Sequence, residues 1–89
     1  MALLLIKHSV FDFDKWYDGY QSLDHIAYDY GCTSKRIWRE PSEPNSILVA
    51  MDFETEKQAR DYLRDDEIEA AKKDGRLTDS ARVEFYNTV

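Results

Sequence analysis

The chain has 89 residues, with 12 basic and 18 acidic side chains and a formal net charge of −6. That length holds one domain, residues 1–89, and 43% hydrophobic against 34% charged residues is ordinary for a folded chain. The acidic balance excludes a basic nucleic-acid or anionic-membrane surface, and no run approaches the ~18 apolar residues of a membrane span.

Residues Ala2 to Val10 open with a Leu-Leu-Leu-Ile run and end in polar alternation, which predicts a strand buried on both faces at its start. Asp12 then stands as an N-cap, with Phe11 and Trp16 spaced as a hydrophobic staple. From there Phe13, Trp16, Tyr17, Tyr20, Leu23, Ala27 and Tyr30 recur at helical spacing as far as Gly31, a good residue to end a helix. Seven of the twelve aromatic residues of the chain fall between Phe11 and Tyr30. Cys32 to Glu40 predicts a second strand, and Pro41 to Ser46 carries turn chemistry. Ile47, Val49, Met51 and Phe53 alternate as a third strand.

Thr55 and Gln58 make a capping-box pair that opens a second helix, with Ala59, Tyr62 and Leu63 on its apolar face. The acidic trio Asp65, Asp66 and Glu67 marks a kink or restart, Ile68 and Ala71 continue the buried side, and Gly75 ends the helix. Ala81, Val83 and Phe85 alternate with Arg82, Glu84 and Tyr86 in a last strand.

The order is β-α-β-β-α-β, an α+β ferredoxin-like sandwich of four antiparallel strands with two helices on one face. By alternation Leu3, Leu5, Leu48, Ala50 and Tyr86 lie on the other sheet face. A second copy of the sheet would cover them, so the sequence predicts a homodimer built sheet to sheet.

Cys32 is the only cysteine, which leaves no intrachain disulfide and no cysteine zinc cluster, and fits a reducing cytoplasm. The apolar start is too short for a signal peptide and has no basic region before it. With 3 glycines there is no Gly-rich phosphate loop, and no metal or cofactor motif is present. Nucleic acid and membrane are therefore not expected as partners.

The residues Leu5-Ile6-Lys7-His8, Asp14-Lys15-Trp16, the passage from Arg36 to Asn45, and Ala59-Arg60-Asp61-Tyr62-Leu63 with Asp66-Glu67-Ile68 and Gly75 carry a resemblance over nearly the whole length. The chain resembles the dimeric α/β-barrel superfamily, and within it the antibiotic-biosynthesis-monooxygenase-like and stress-responsive small proteins. Members include cofactor-independent oxygenases acting on polyphenolic aromatics, haem-degrading enzymes, lactone isomerases and cyclases. The haem-degrading branch uses a late His and a pocket Asn; here no His follows His25 and Asn87 is the only late Asn. Many relatives place a His near the middle of helix one, where this chain has Leu23. No catalytic His is carried across that gap.

Helical spacing sets Asp24 within the stripe of Phe13, Tyr17, Tyr20 and Ala27, where a desolvated carboxylate suits a general base; its plainer reading is a carboxylate that pairs with an Arg or Tyr, or sits beyond the sheet edge in water. His8 shares a strand face with Leu4, Ile6 and Val10, and beside Asp24 it would complete an acid–base pair; its plainer reading is a satisfied core histidine. If the Arg36 and Trp38 face of strand two looks towards the helices, Arg36 can bind a carboxylate, phenolate or enolate while Trp38 stacks on a ring. The alternative is an edge-strand charge that blocks aggregation. Tyr17, Tyr20 and Tyr62 are candidate lining for a planar ligand. His25 faces away, Cys32 has no adjacent base, and the acidic residues of helix two form a solvated face with no calcium-loop spacing.

Two functions follow. One is a small-molecule enzyme without cofactor, performing oxygenation or proton-transfer (isomerase or cyclase) chemistry on an aromatic or polyketide-like substrate. The other is a non-catalytic dimeric ligand-binding or accessory protein.

Overall fold

A computed structural model describes residues 1–73 and 81–89. Its elements are β1 (Ala2–Ser9), α1 (Phe13–Ser22), α2 (Asp24–Asp29), β2 (Cys32–Glu40), β3 (Glu43–Phe53), α3 (Glu56–Leu63), α4 (Asp66–Lys73) and β4 (Arg82–Asn87). The four strands form one antiparallel sheet in the order β2-β3-β1-β4, the ferredoxin-like arrangement. The expected helix end at Gly75 lies outside the described residues.

The core lies between the helices and one face of the sheet. Leu4 of β1 meets Met51 and Phe85 across the ladders, and Val49 and Phe53 continue that row on β3. Leu4, Met51, Val49 and Phe53 are buried together with Ile26, Ala27, Ala59, Tyr62 and Ile68 from the helices. Each large apolar side chain removed from water here contributes roughly 1.5–3 kcal/mol before the entropy cost of ordering the chain.

Local chemistry explains most boundaries. Asp12 caps α1 by accepting hydrogen bonds from the backbone N–H groups of Asp14 and Lys15. Phe11 does not close the expected staple, being 68% exposed. Asn45 does the clasping instead: its side chain accepts from Phe13 N–H at 3.0 Å and donates to the Phe11 carbonyl at 3.2 Å. The capping box is present at α3, where Thr55 Oγ1 accepts from Gln58 N–H and the Gln58 side chain accepts from Thr55 N–H. Asp65 restarts the chain as α4 by accepting from Glu67 and Ile68 N–H. At Gly31 the backbone adopts φ +98°, and an added Cβ would come within 2.7 Å of the Gln58 amide. Only glycine fits there without displacing that cap.

Three further features differ from the sequence expectation. The single first helix is two, because Leu23 (φ −101°, ψ 6°) leaves the helical basin between α1 and α2. Gly19 weakens the preceding turn, and the Ser22 hydroxyl donates to the Gly19 carbonyl at 2.7 Å, competing with the backbone ladder. The turn after β2 is also shorter than expected. Glu40 pairs with Glu43 around Pro41–Ser42, and a register shift of β3 absorbs Pro44 to Ser46.

The third difference concerns the two faces of β2. Cys32 pairs with Phe53, yet Ser34 pairs with Asp52, so one extra residue is accommodated at Thr33. That bulge flips the alternation. Lys35, Ile37 and Arg39 take the helix side, opposite Met51, Val49 and Ile47. Arg36 and Trp38 take the other side, opposite Ala50 and Leu48, where Leu3, Leu5 and Tyr86 also lie. The condition on which Arg36 and Trp38 were to meet a ligand under the helices is therefore not fulfilled.

Candidate functional site

The aromatic side chains of α1 are half-buried rather than buried, and no residue of this helix is fully enclosed. Instead they form a stack. Phe13 lies on Tyr17 at 5.5 Å with 14° between planes, Trp16 lies on Tyr20 at 5.0 Å and 22°, and Tyr17 follows Tyr20 at 6.4 Å and 15°. Residues three and four apart on a helix face are neighbours, which is why the sequence spacing produces the stack. Each end of the stack meets a polar group on the sheet. The buried His8 ring of β1 meets the Trp16 ring in a T-shaped contact, with 5.3 Å between centroids and 61° between planes. Arg39 lies over Phe13 at 3.9 Å and donates to the Pro44 carbonyl at 2.9 Å.

At the other end stands Lys35. Its side chain is 9% exposed, and its Nζ lies 5.1 Å from the Tyr20 ring centre and 4.9 Å from that of Tyr28. Asp24, the first residue of α2, is its ion-pair partner and is 43% exposed at the side chain. Burial pushes the Lys35 ammonium below its ordinary pKa. Among the described residues the buried Tyr20 hydroxyl has no hydrogen-bond partner. An unmet buried hydroxyl costs about 1–3 kcal/mol, which makes it a place where a ligand's acceptor is stabilising. Burial raises the Tyr20 pKa well above the ordinary phenol value, with the neighbouring Tyr62 and Cys32 groups adding to it. Tyr62 of α3 is pushed up to about 12, again chiefly by burial. Both phenols are therefore neutral donors at physiological pH. The Cys32 thiol is likewise raised by burial, which disfavours the nucleophilic thiolate.

Of the residues singled out in sequence, Tyr17, Tyr20, Tyr62, His8 and Asp24 stand on the helix side of the sheet, although His8 and Asp24 are not brought together. Lys35, the Asp24 partner, pairs in the sheet with Met51 and so shares the Leu4 row, whereas His8 pairs with Ile47, four residues further along β1. Four strand residues span about 13 Å. Trp16 and Tyr20 bridge that interval. The break at Leu23 also resets the helical phase, so Asp24 reaches outward to Lys35 instead of sitting within the apolar stripe. Arg36 and Trp38 form a second cluster on the open sheet face. There the Arg36 guanidinium lies 3.5 Å from Asp52 and 5.6 Å from the Trp38 ring, and Ser34 Oγ donates to Asp52 at 2.8 Å.

Lys35 is the residue sequence reasoning missed. A lysine on an edge strand reads as solvated, and only the bulge at Thr33 turns it inward. Among the described residues no group of three His, Cys, Asp or Glu side chains could hold a metal, and no helix is long and apolar enough to cross a membrane.

Comparison with solved structures gives the same architecture with full coverage. One match is a crystal structure of an antibiotic biosynthesis monooxygenase, with a TM-score of 0.81 at 8% identity over 100% of this chain and 99% of that one. The chain has the fold of an antibiotic biosynthesis monooxygenase. SnoaB of Streptomyces nogalater, described as a cofactor-independent oxygenase, matches this monooxygenase fold with a TM-score of 0.83 at 9% identity, covering 99% of this chain and 92% of that one. A putative antibiotic biosynthesis monooxygenase from Deinococcus radiodurans matches with 0.72 at 19% identity, over 100% and 93%. Neither a family model nor a curated protein matches the sequence.

Proposed function

We propose that this protein is a small-molecule enzyme that needs no cofactor and performs oxygenation or proton transfer on an aromatic or polyketide-like substrate. The observation that carries this reading is the buried Tyr20 hydroxyl, unpartnered among the described residues, beside a stack of aromatic rings in a fold shared with a cofactor-independent oxygenase. A flat substrate lies along the stack formed by Tyr17, Tyr20 and Trp16, with Tyr62 closing the α3 side. His8 takes the substrate proton, and Asp24 acts through its ion pair with Lys35 rather than as the base. For oxygenation, the carbanion or phenolate so formed gives an electron to dioxygen. Recombination yields a hydroperoxide, and loss of water leaves a carbonyl: a CH2 group and O2 become C=O and H2O. Isomerase or cyclase chemistry uses the same deprotonation and returns the proton.

Arg36 and Trp38 belong, on this reading, to a homodimer interface. The open sheet face presents Leu3, Leu5 and Leu48 with Trp38 at 48% and Tyr86 at 50% exposure, and a second copy of the sheet is the surface of matching shape. The single, buried Cys32 is in keeping with a reducing cytoplasm.

Oxygen uptake with dihydroxynaphthalenes and enolisable polyketide-like ketones tests the chemistry. Turnover that is abolished under nitrogen and by His8→Ala supports the oxygenase reading. Turnover unchanged without oxygen replaces it by isomerase or cyclase chemistry, and absence of turnover on every compound supports the second reading. That second reading, a ligand-binding or accessory protein without catalysis, draws on one observation: His8 and the Asp24–Lys35 pair stand in different rows of the sheet.

A further inference from the structure

An ionised aromatic substrate requires a positive group near its oxygen, and Arg36 lies on the wrong face of the sheet to supply it. The groups on the helix side point to another solution. Lys35 carries three N–H donors, and among the described residues its carboxylate partner is Asp24, which is itself partly in water. The Tyr20 hydroxyl is buried, neutral and, among the described residues, without an acceptor. Both donors belong to one locality, since the ammonium lies 5.1 Å from the Tyr20 ring centre and 4.9 Å from that of Tyr28. A buried lysine is a costly way to hold a strand on a helix, because an apolar side chain of that size does so without desolvating a charge. An incoming anion would satisfy both donors at once.

We propose that the Lys35 ammonium and the Tyr20 hydroxyl form an oxyanion site, which binds the ionised hydroxyl of a phenol or enol whose ring lies against the α1 aromatic stack. This rests on the small-molecule reading above and names the chemical class: acidic phenols and enols, rather than neutral hydrocarbons or cations. The shallow packing of α1, which encloses none of its own residues, gives such a ring access to the stack. The titratable groups that face the site are Asp24 and Tyr28 from α2, Tyr17 and Tyr20 from α1, Tyr62 from α3 and Cys32 from β2.

The test uses 4-nitrophenol, whose ionised form has its own visible absorption band, with the full-length protein. The wild type is expected to bind the probe and to lower the pH at which the bound probe ionises. Lys35→Met is expected to abolish that shift and weaken binding about tenfold or more, the effect of losing one charge-assisted contact. Tyr20→Phe, which removes one oxygen and leaves the ring stack, is expected to weaken binding several-fold; if Lys35→Met fails to fold, this variant and Lys35→Arg decide the matter. Equal binding by wild type and the folded variants overturns the proposal, as does a bound probe that ionises at or above the pH of the free one. Failure of the enzymatic reading is separable. Lys35-dependent binding without oxygen uptake leaves the oxyanion site standing, whereas oxygen uptake insensitive to Lys35→Met removes the site and leaves the enzyme.

Discussion

Strand β2 carries two chemistries on its two faces. On one, Lys35 is enclosed by Tyr20 and Tyr28 and neutralised by Asp24; on the other, Arg36 stays half in water beside Asp52 and Trp38. The cations are sequence neighbours, yet one is desolvated and the other is not. Parity along a strand therefore matters more than residue type in deciding which cation lies under the helices and which stays on the open face.

The comparison is broken most severely by removing what makes one face an interior. Phe53→Ala should destabilise the fold by about 3–5 kcal/mol, read as a lower urea midpoint, because Phe53 is fully buried under the helices. Trp38→Ala on the open face should change monomer stability by less than about 1 kcal/mol. In sedimentation, Trp38→Glu should convert a micromolar dimer to monomer while the circular dichroism stays unchanged; a wild type that is already monomeric removes the proposed interface.

Alkaline titration sharpens the contrast further. Tyr62 holds its proton up to about 12 in the folded state, against an ordinary value of 10.0, and Tyr20 is raised as well. The Tyr62 contribution is complete below about 10 and is lost as pH rises through about 12, up to roughly 2–3 kcal/mol, and that of Tyr20 is lost at higher pH still. Lys35 acts with the opposite sign. Its folded pKa is lowered from 10.5, so the unfolded chain binds more protons and stability rises with pH between the lowered value and 10.5. Asp24→Asn should deepen that rise by removing the counter-charge, as urea midpoints measured from pH 7 to 10 would register. A flat profile in the variant would remove the assigned role of Asp24. The smallest effect belongs to Arg36→Ala, expected to cost less than about 1 kcal/mol in thermal melts, since its ion pair is largely exposed.

Much of the fold was legible because its signals are local. Asp12 and the Thr55–Gln58 box cap helices through side chains a few residues away, and Asp65 restarts α4 in the same way. Alternation in Ile47 to Phe53 named a core face that the structure keeps. The aromatic stack of α1 was legible for the same reason, as helical spacing brings residues three and four apart together. The arrangement of the candidate site residues was legible only in part. His8, Tyr17, Tyr20 and Tyr62 were placed on the correct side, but the inference for Asp24 extended one helical phase across Leu23, where the backbone interrupts it.

The sequence by itself determined the order of elements, their caps and the aromatic wall, all set by interactions within one turn or one strand. The tertiary structure alone decided which cation faces the helices and which carboxylate meets it. Both depend on one extra residue at Thr33 in the β2–β3 ladder and on the break at Leu23. A bulge is the outcome of pairing between distant segments, with Asp52 receiving Thr33 and Ser34 across the ladder, so no pattern within β2 announces it.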